Sequence, residues 1–139
     1  MHKSDMNRKI VTRLITIAAW VAVIAIAYAT LTHVGFVYAI YFKLAPLLMG
    51  PEMRTYAHFE HVLAFALLGA LFAYAYPHKL LLVCCVVLGS AVLLELAQTM
   101  TADRHGTMVD ALEKMAGGAA GILFARITHR FWFAKDKPS

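Results

Sequence analysis

Charge is scarce in this chain. Asp, Glu, Lys and Arg supply 15% of its 139 residues, against about a quarter in soluble domains. With 61% apolar residues and a mean hydropathy of +0.67, that shortage excludes disorder and argues against an ordinary soluble domain. Cysteine is scarcer still. Cys84 and Cys85 lie side by side in an apolar run, which gives neither a disulfide framework nor a zinc pattern and leaves them as small packing residues. Acidic residues number 8 against 13 basic ones, a net charge of +5. The basic residues stand between and beyond long apolar runs, so a bilayer surface is the expected partner and nucleic acid is not. Repeats and low-complexity tracts are absent.

Uninterrupted apolar sequence is what the chain has in abundance. Roughly 20 such residues cross the hydrocarbon layer, and four runs qualify, at about 14–31, 57–76, 80–98 and 108–127. The expected fold is all-α, a polytopic membrane four-helix bundle occupying 14–127 as a single domain. A basic N-terminus, 1–13, and a basic aromatic tail, 128–139, flank it. The first run follows Lys3, Arg8, Lys9 and Arg13 as a signal peptide would, yet it is too long and shows no cleavage site before Tyr28, Leu31 and His33, so it is expected to persist as a span. Pro77-His78-Lys79 predicts a tight turn that makes spans two and three an antiparallel hairpin. Between spans one and two, Phe36, Tyr38, Tyr41 and Phe42 suit headgroup level, and part of 33–56 is expected to form a short interfacial helix.

Orientation follows from the Lys and Arg count. Lys3, Arg8, Lys9, Arg13, Lys79, Arg126, Arg130, Lys135 and Lys137 fall on one side, and Lys43, Arg54, Arg104 and Lys114 on the other. Nine against four places both termini in the cytoplasm of a multi-pass membrane protein, with Phe131, Trp132 and Phe133 as an aromatic anchor at the inner interface.

Six of the 8 acidic residues then gather at or near the outer side: Glu52, Glu60, Glu95, Asp103, Asp110 and Glu113. Ionisable groups at such depths are costly unless they pair or face water, so they point to a functional pocket. His58 and His61 are three apart at the start of span two, and Glu95 and Gln98 are three apart at the end of span three, so each pair shares one helix face. Asp110 and Lys114, four apart, have the spacing of an ion pair that eases span four into the interface, and Asp110 suits the positive end of the helix dipole. Arg104 is the natural partner of Glu95; its guanidinium suits either a carboxylate clamp or an anionic group of a ligand. His58, Glu60, His61, Glu95, His105 and Asp110 are metal-competent types, but HExxH-like spacing is missing, so neither metal nor cofactor is expected. Gly117 and Gly121 form a small-xxx-small pattern suited to close helix packing, first within the bundle against spans carrying Gly69 or Gly89, alternatively against a second copy or another membrane protein.

Glu60-His61-Val62-Leu63-Ala64-Phe65, Glu95-Leu96-Ala97-Gln98, Arg104, Asp110 and Gly117 to Gly121, taken in order, resemble the VanZ-like family of small bacterial membrane proteins over roughly 57–125. His61, Glu95, Gln98, Arg104 and Asp110 fall on that family's polar signature, and Gly117 and Gly121 on its packing glycines. Two positions depart: His58 stands where the family often has Lys, and Lys114 where it often has Asn. The resemblance implies action at the outer leaflet or on envelope material, with a link to glycopeptide tolerance. The leading expectation is an outer-facing pocket that binds an amphiphilic envelope molecule, a lipid-linked precursor or a lipoglycopeptide, through His61, Glu95, Gln98, Arg104 and Asp110, with Phe59 and Phe65 as candidates for its acyl side. One alternative is a hydrolase or transferase in which Glu95 and His61 act as general acid and base; its weakness is the lack of a nucleophile, since Ser90 and Thr99 have no evident partner. Another is an accessory subunit whose polar cluster only locks the helices.

Overall fold

The computed structural model describes residues 3–31, 53–100 and 107–134, with side chains over 6–31, 59–100 and 107–131. They form four helices: α1 (Lys3–Leu31), α2 (Met53–Ala75), α3 (Leu80–Thr99) and α4 (Met108–Ala134). No strand occurs among the described residues. The expected interfacial helix lies outside them, apart from the last residues of 33–56, which already belong to α2. Both terminal helices outrun the expected spans, α1 on its N-terminal side and α4 on its C-terminal side.

Pro77 ends the second helix, as its missing N–H requires. The Tyr76 N–H still bonds the Phe72 carbonyl at 2.9 Å, then the Lys79 N–H turns back to the Tyr76 carbonyl at 3.1 Å, and α3 starts at Leu80. The hairpin geometry follows from that four-residue reversal.

The most extensive helix contact joins α2 and α4. Gly117 lies against the Val62 backbone and Gly121 against Ala66, so the two helices run parallel in one register. Gly69 returns the contact, facing the backbone of Gly118 and Ile122. A Cβ added at Gly117 would come within 2.9 Å of Val62 Cα, closer than packed atoms allow. Further along the same seam the Tyr74 hydroxyl meets the Thr128 hydroxyl, which also bonds the Phe124 and Ala125 carbonyls at 3.0 Å. Gly89 differs from this set, because a Cβ there would meet nothing within 4 Å; its grouping with the packing glycines is corrected.

Phe65, Leu68, Phe72, Val83, Val87, Ala91, Ile122 and Ala125 fill the centre. Phe65, only 2% exposed, is therefore a core residue and not a lining of an acyl pocket, whereas Phe59 faces outward at 61%. The first helix docks through Trp20, whose ring meets Phe72 edge-on at 5.2 Å and whose indole N–H donates to the Tyr76 hydroxyl at 3.0 Å. Its remaining faces expose Leu14, Ile17, Val21, Ile24 and Tyr28. Cys84 is half-buried and Cys85 exposed, so only the first packs as the sequence suggests. Among the described residues, two helical stretches, Met6–Leu31 and Leu80–Thr99, are long and apolar enough to cross a membrane, and Phe59–Ala75 is a shorter apolar stretch.

Overpacking a close backbone contact costs about 1–3 kcal/mol, more than the roughly 1 kcal/mol that Gly→Ala returns in helix propensity. Gly121→Leu should therefore lower the unfolding temperature in detergent, followed by circular dichroism, while Gly89→Ala should leave it unchanged or raise it. Equal effects at both positions would contradict the α2–α4 seam.

Candidate functional site

Polar side chains concentrate where α2 and α4 begin and α3 finishes. Glu95 and Gln98 close α3 on a single face, and both are buried; Lys114, one turn before Gly117, is 1% exposed. Helical side chains lean toward their own N-terminus. Lys114 thus leans toward the start of α4, Glu95 leans back along α3, and the antiparallel packing makes the two leanings converge. The Lys114 ammonium donates to Glu95 Oε2 in a close ion pair and to Gln98 Oε1 at 3.4 Å.

Both ends of this network are tied off. Glu95 Oε1 accepts the Thr107 N–H at 2.7 Å. Thr107 is also the cap of α4, its hydroxyl accepting the Asp110 N–H at 3.1 Å, so a single residue both starts the helix and satisfies the carboxylate. On the other side, Gln98 Nε2 donates to the Thr30 carbonyl at 3.4 Å, one of the last carbonyls of α1, which lack partners within their own helix. Removing two charges from water costs several kcal/mol per ion. Mutual pairing and two further hydrogen bonds, one to each ion, offset that cost here.

The partner of Glu95 differs from expectation. Arg104, with Asp103 and His105, lies outside the described residues, and the described partner is Lys114. Spacing alone pairs Lys114 with Asp110; the structure joins the ammonium across helices to Glu95. A sequence signal for this existed. Position 114 shares the face of Gly117, Gly118, Gly121 and Ala125, which packs into the bundle, so its ammonium had to find a buried anion.

A second group lies beside the first. His61 on α2 and Asp110 and Glu113 on α4, all half-buried, bring their imidazole and carboxylate atoms within 4.8 Å of one another. The Nδ1 atom of His61 is shielded from solvent and has no hydrogen-bond partner among the described residues. Glu113 was not among the site or metal candidates in the sequence. Its membership follows from the three-residue step to Asp110, which returns to the same helix face. Of the remaining candidates, Glu60 is exposed, and the side chains of His58 and Glu52 lie outside the described residues.

Chemically, both Glu95 oxygens are engaged, which makes this carboxylate a strut that positions its neighbours. The Ser90 hydroxyl bonds the Val87 carbonyl at 2.9 Å, and that of Thr99 bonds Leu96 at 2.7 Å, each within its own helix. Neither presents an activated nucleophile. His61, Asp110 and Glu113 bring together an imidazole and two carboxylates, groups of the types that bind a cation. Comparison with known protein families, curated proteins and solved structures finds no match.

Removing one member of a buried pair costs about 3–5 kcal/mol, largely by stranding the other charge. Lys114→Met should lose that much stability in a detergent unfolding titration, and adding Glu95→Leu should recover at least half of it. Strictly additive losses would mean that the pair is not coupled. Thr107→Ala should cost about 1 kcal/mol through the lost cap alone.

Proposed function

We propose that this chain is a four-span bacterial inner-membrane protein of the VanZ-like kind, with both termini cytoplasmic, whose outer-facing polar recess binds the head of an amphiphilic cell-envelope molecule. Support for four spans comes from the two long apolar helices, the apolar Phe59–Ala75 stretch and the outward-facing Leu81, Leu93, Leu123 and Phe124 of α3 and α4. Support for the orientation comes from the nine-to-four division of Lys and Arg.

The observation that carries the reading is convergence. Side chains of His61, Glu95, Gln98, Asp110, Glu113 and Lys114 come from three helices to one end of a bundle that is otherwise apolar. Ionisable groups so placed point to a ligand or to a path for one. In this reading, Glu95, Lys114 and Gln98 hold α3 and α4 in place, while His61, Asp110 and Glu113 accept hydroxyl or amide donors of a sugar or peptide headgroup. Arg104, tethered in the short link between Met100 and Thr107, takes the anionic group. Recognition is favoured over hydrolysis because the described hydroxyls near the recess are bonded to their own helices.

Two measurements test this. In a Cys84→Ala/Cys85→Ala background, Met108→Cys, at a site 81% exposed, should react with a membrane-impermeant maleimide added to intact cells; reaction only after permeabilisation would reverse the orientation. In nanodiscs, native mass spectrometry should show a polyprenyl phosphate retained in preference to phosphatidylethanolamine, and Arg104→Gln should weaken that retention tenfold or more at normal folded yield. Equal retention of both lipids would remove the binding function.

A further inference from the structure

Among the described clusters, His61, Asp110 and Glu113 have a chemistry that the helix-locking network does not use. Asp110 and Glu113 occupy adjacent turns at the start of α4, three residues apart and on one face. His61 reaches them because the next residue of α2, Val62, lies directly against Gly117. With no Cβ at 117 the two backbones approach closely enough for side chains as short as His and Asp to meet across the seam. One imidazole nitrogen and two carboxylate oxygens then fall within 4.8 Å of each other.

This is a nitrogen-and-oxygen donor set with no thiolate. The imidazole favours zinc or a neighbouring transition metal over magnesium or calcium, which take oxygen donors almost alone. Three ligands around zinc at roughly 2.1 Å would stand about 3.4 Å apart, so a contraction of about 1.4 Å from the 4.8 Å limit suffices, within the range of the Asp110 and Glu113 side-chain torsions. The Lys114 ammonium, next to Glu113 in the chain, is committed to Glu95 and Gln98 and is neutralised by the former. A second observation comes from the imidazole itself. His61 Nδ1 is closed off from solvent without a partner among the described residues, and a ring nitrogen left that way is costly unless that atom itself is bonded or bound.

We propose that His61, Asp110 and Glu113 bind one divalent transition-metal ion, zinc foremost, with three protein ligands and at least one coordination position left for water or for an anionic oxygen. Its supports, α2 and α4, are the two helices locked by the glycine seam, and ligands carried on rigid helices hold geometry better than ligands on loops. The same three side chains serve the envelope-ligand reading; with a metal bound they would meet a headgroup through the metal's open position, and the metal can be probed alone.

The test uses the full-length, untagged protein in detergent, stripped with chelator and titrated separately with zinc, manganese and magnesium chloride by calorimetry. One zinc per chain is expected, bound more tightly than manganese, with magnesium weakest. His61→Gln, Asp110→Asn and Glu113→Gln should each weaken zinc at least tenfold, and Glu60→Gln, outside the cluster, should leave it unchanged. Zinc should also raise the unfolding temperature of the unsubstituted protein by linkage, a readout that stands even where His61→Gln fails to fold. Absence of saturable one-to-one binding, no zinc-induced rise in unfolding temperature, or unchanged affinity in Asp110→Asn and Glu113→Gln would overturn the site.

Discussion

The close approach of α2 and α4 is the constraint on which the rest of the molecule depends. Val62 against Gly117, Ala66 against Gly121 and Gly69 against Gly118 set two parallel helices backbone to backbone. In water such a contact would be a minor part of a hydrophobic core. Between apolar helices in lipid, where burial against hydrocarbon yields little, van der Waals packing of small residues is a principal source of association. The same contact fixes the height of His61 relative to Asp110 and of the Lys114 face relative to α3. Polar geometry is thus a consequence of glycine placement several residues away.

The ion pair between Lys114 and Glu95 adds the third helix to this frame. Neither charge is tolerable alone at 2% and 8% side-chain exposure, and each reaches the other only when α3 and α4 are antiparallel and in register. A mispaired register would bury two unmatched ions, so the pair selects one arrangement more than it adds net stability. Thr107 extends the selection to the α3–α4 connection, because its N–H is bonded to Glu95 while its hydroxyl starts the next helix.

Much of the helical content was legible in the sequence because apolar runs of about 20 residues are far longer than strands and read as helices. The Pro77 turn was legible too, since proline carries its own stereochemistry. Pair identities were less so. Lys114 is four residues from Asp110, and a spacing rule can only rank partners along a single helix; the actual acceptor, Glu95, is 19 residues away on another helix. Phe65 and Phe59 look alike in sequence and differ only in which side of α2 faces the core residues Val87 and Ile122 of the neighbouring helices. Glu113 shares a helix face with Asp110 by its three-residue step, which the sequence shows; that this face meets His61 of α2 is supplied by the helix packing. Arg104, central to the sequence reading, lies outside the described residues, and its role is proposed from its place in the chain.

Gln98 illustrates how narrowly such a frame defines its parts. Its carbonyl oxygen faces an ammonium and its amide nitrogen faces the Thr30 carbonyl, so the side chain must accept on one edge and give a hydrogen on the other. Glutamate, of identical shape, would set a carboxylate oxygen against the carbonyl oxygen of α1, and leucine would abandon both neighbours. The carboxamide is accordingly a two-sided fastener, and through it the far end of the first helix is coupled to the charge state of the last.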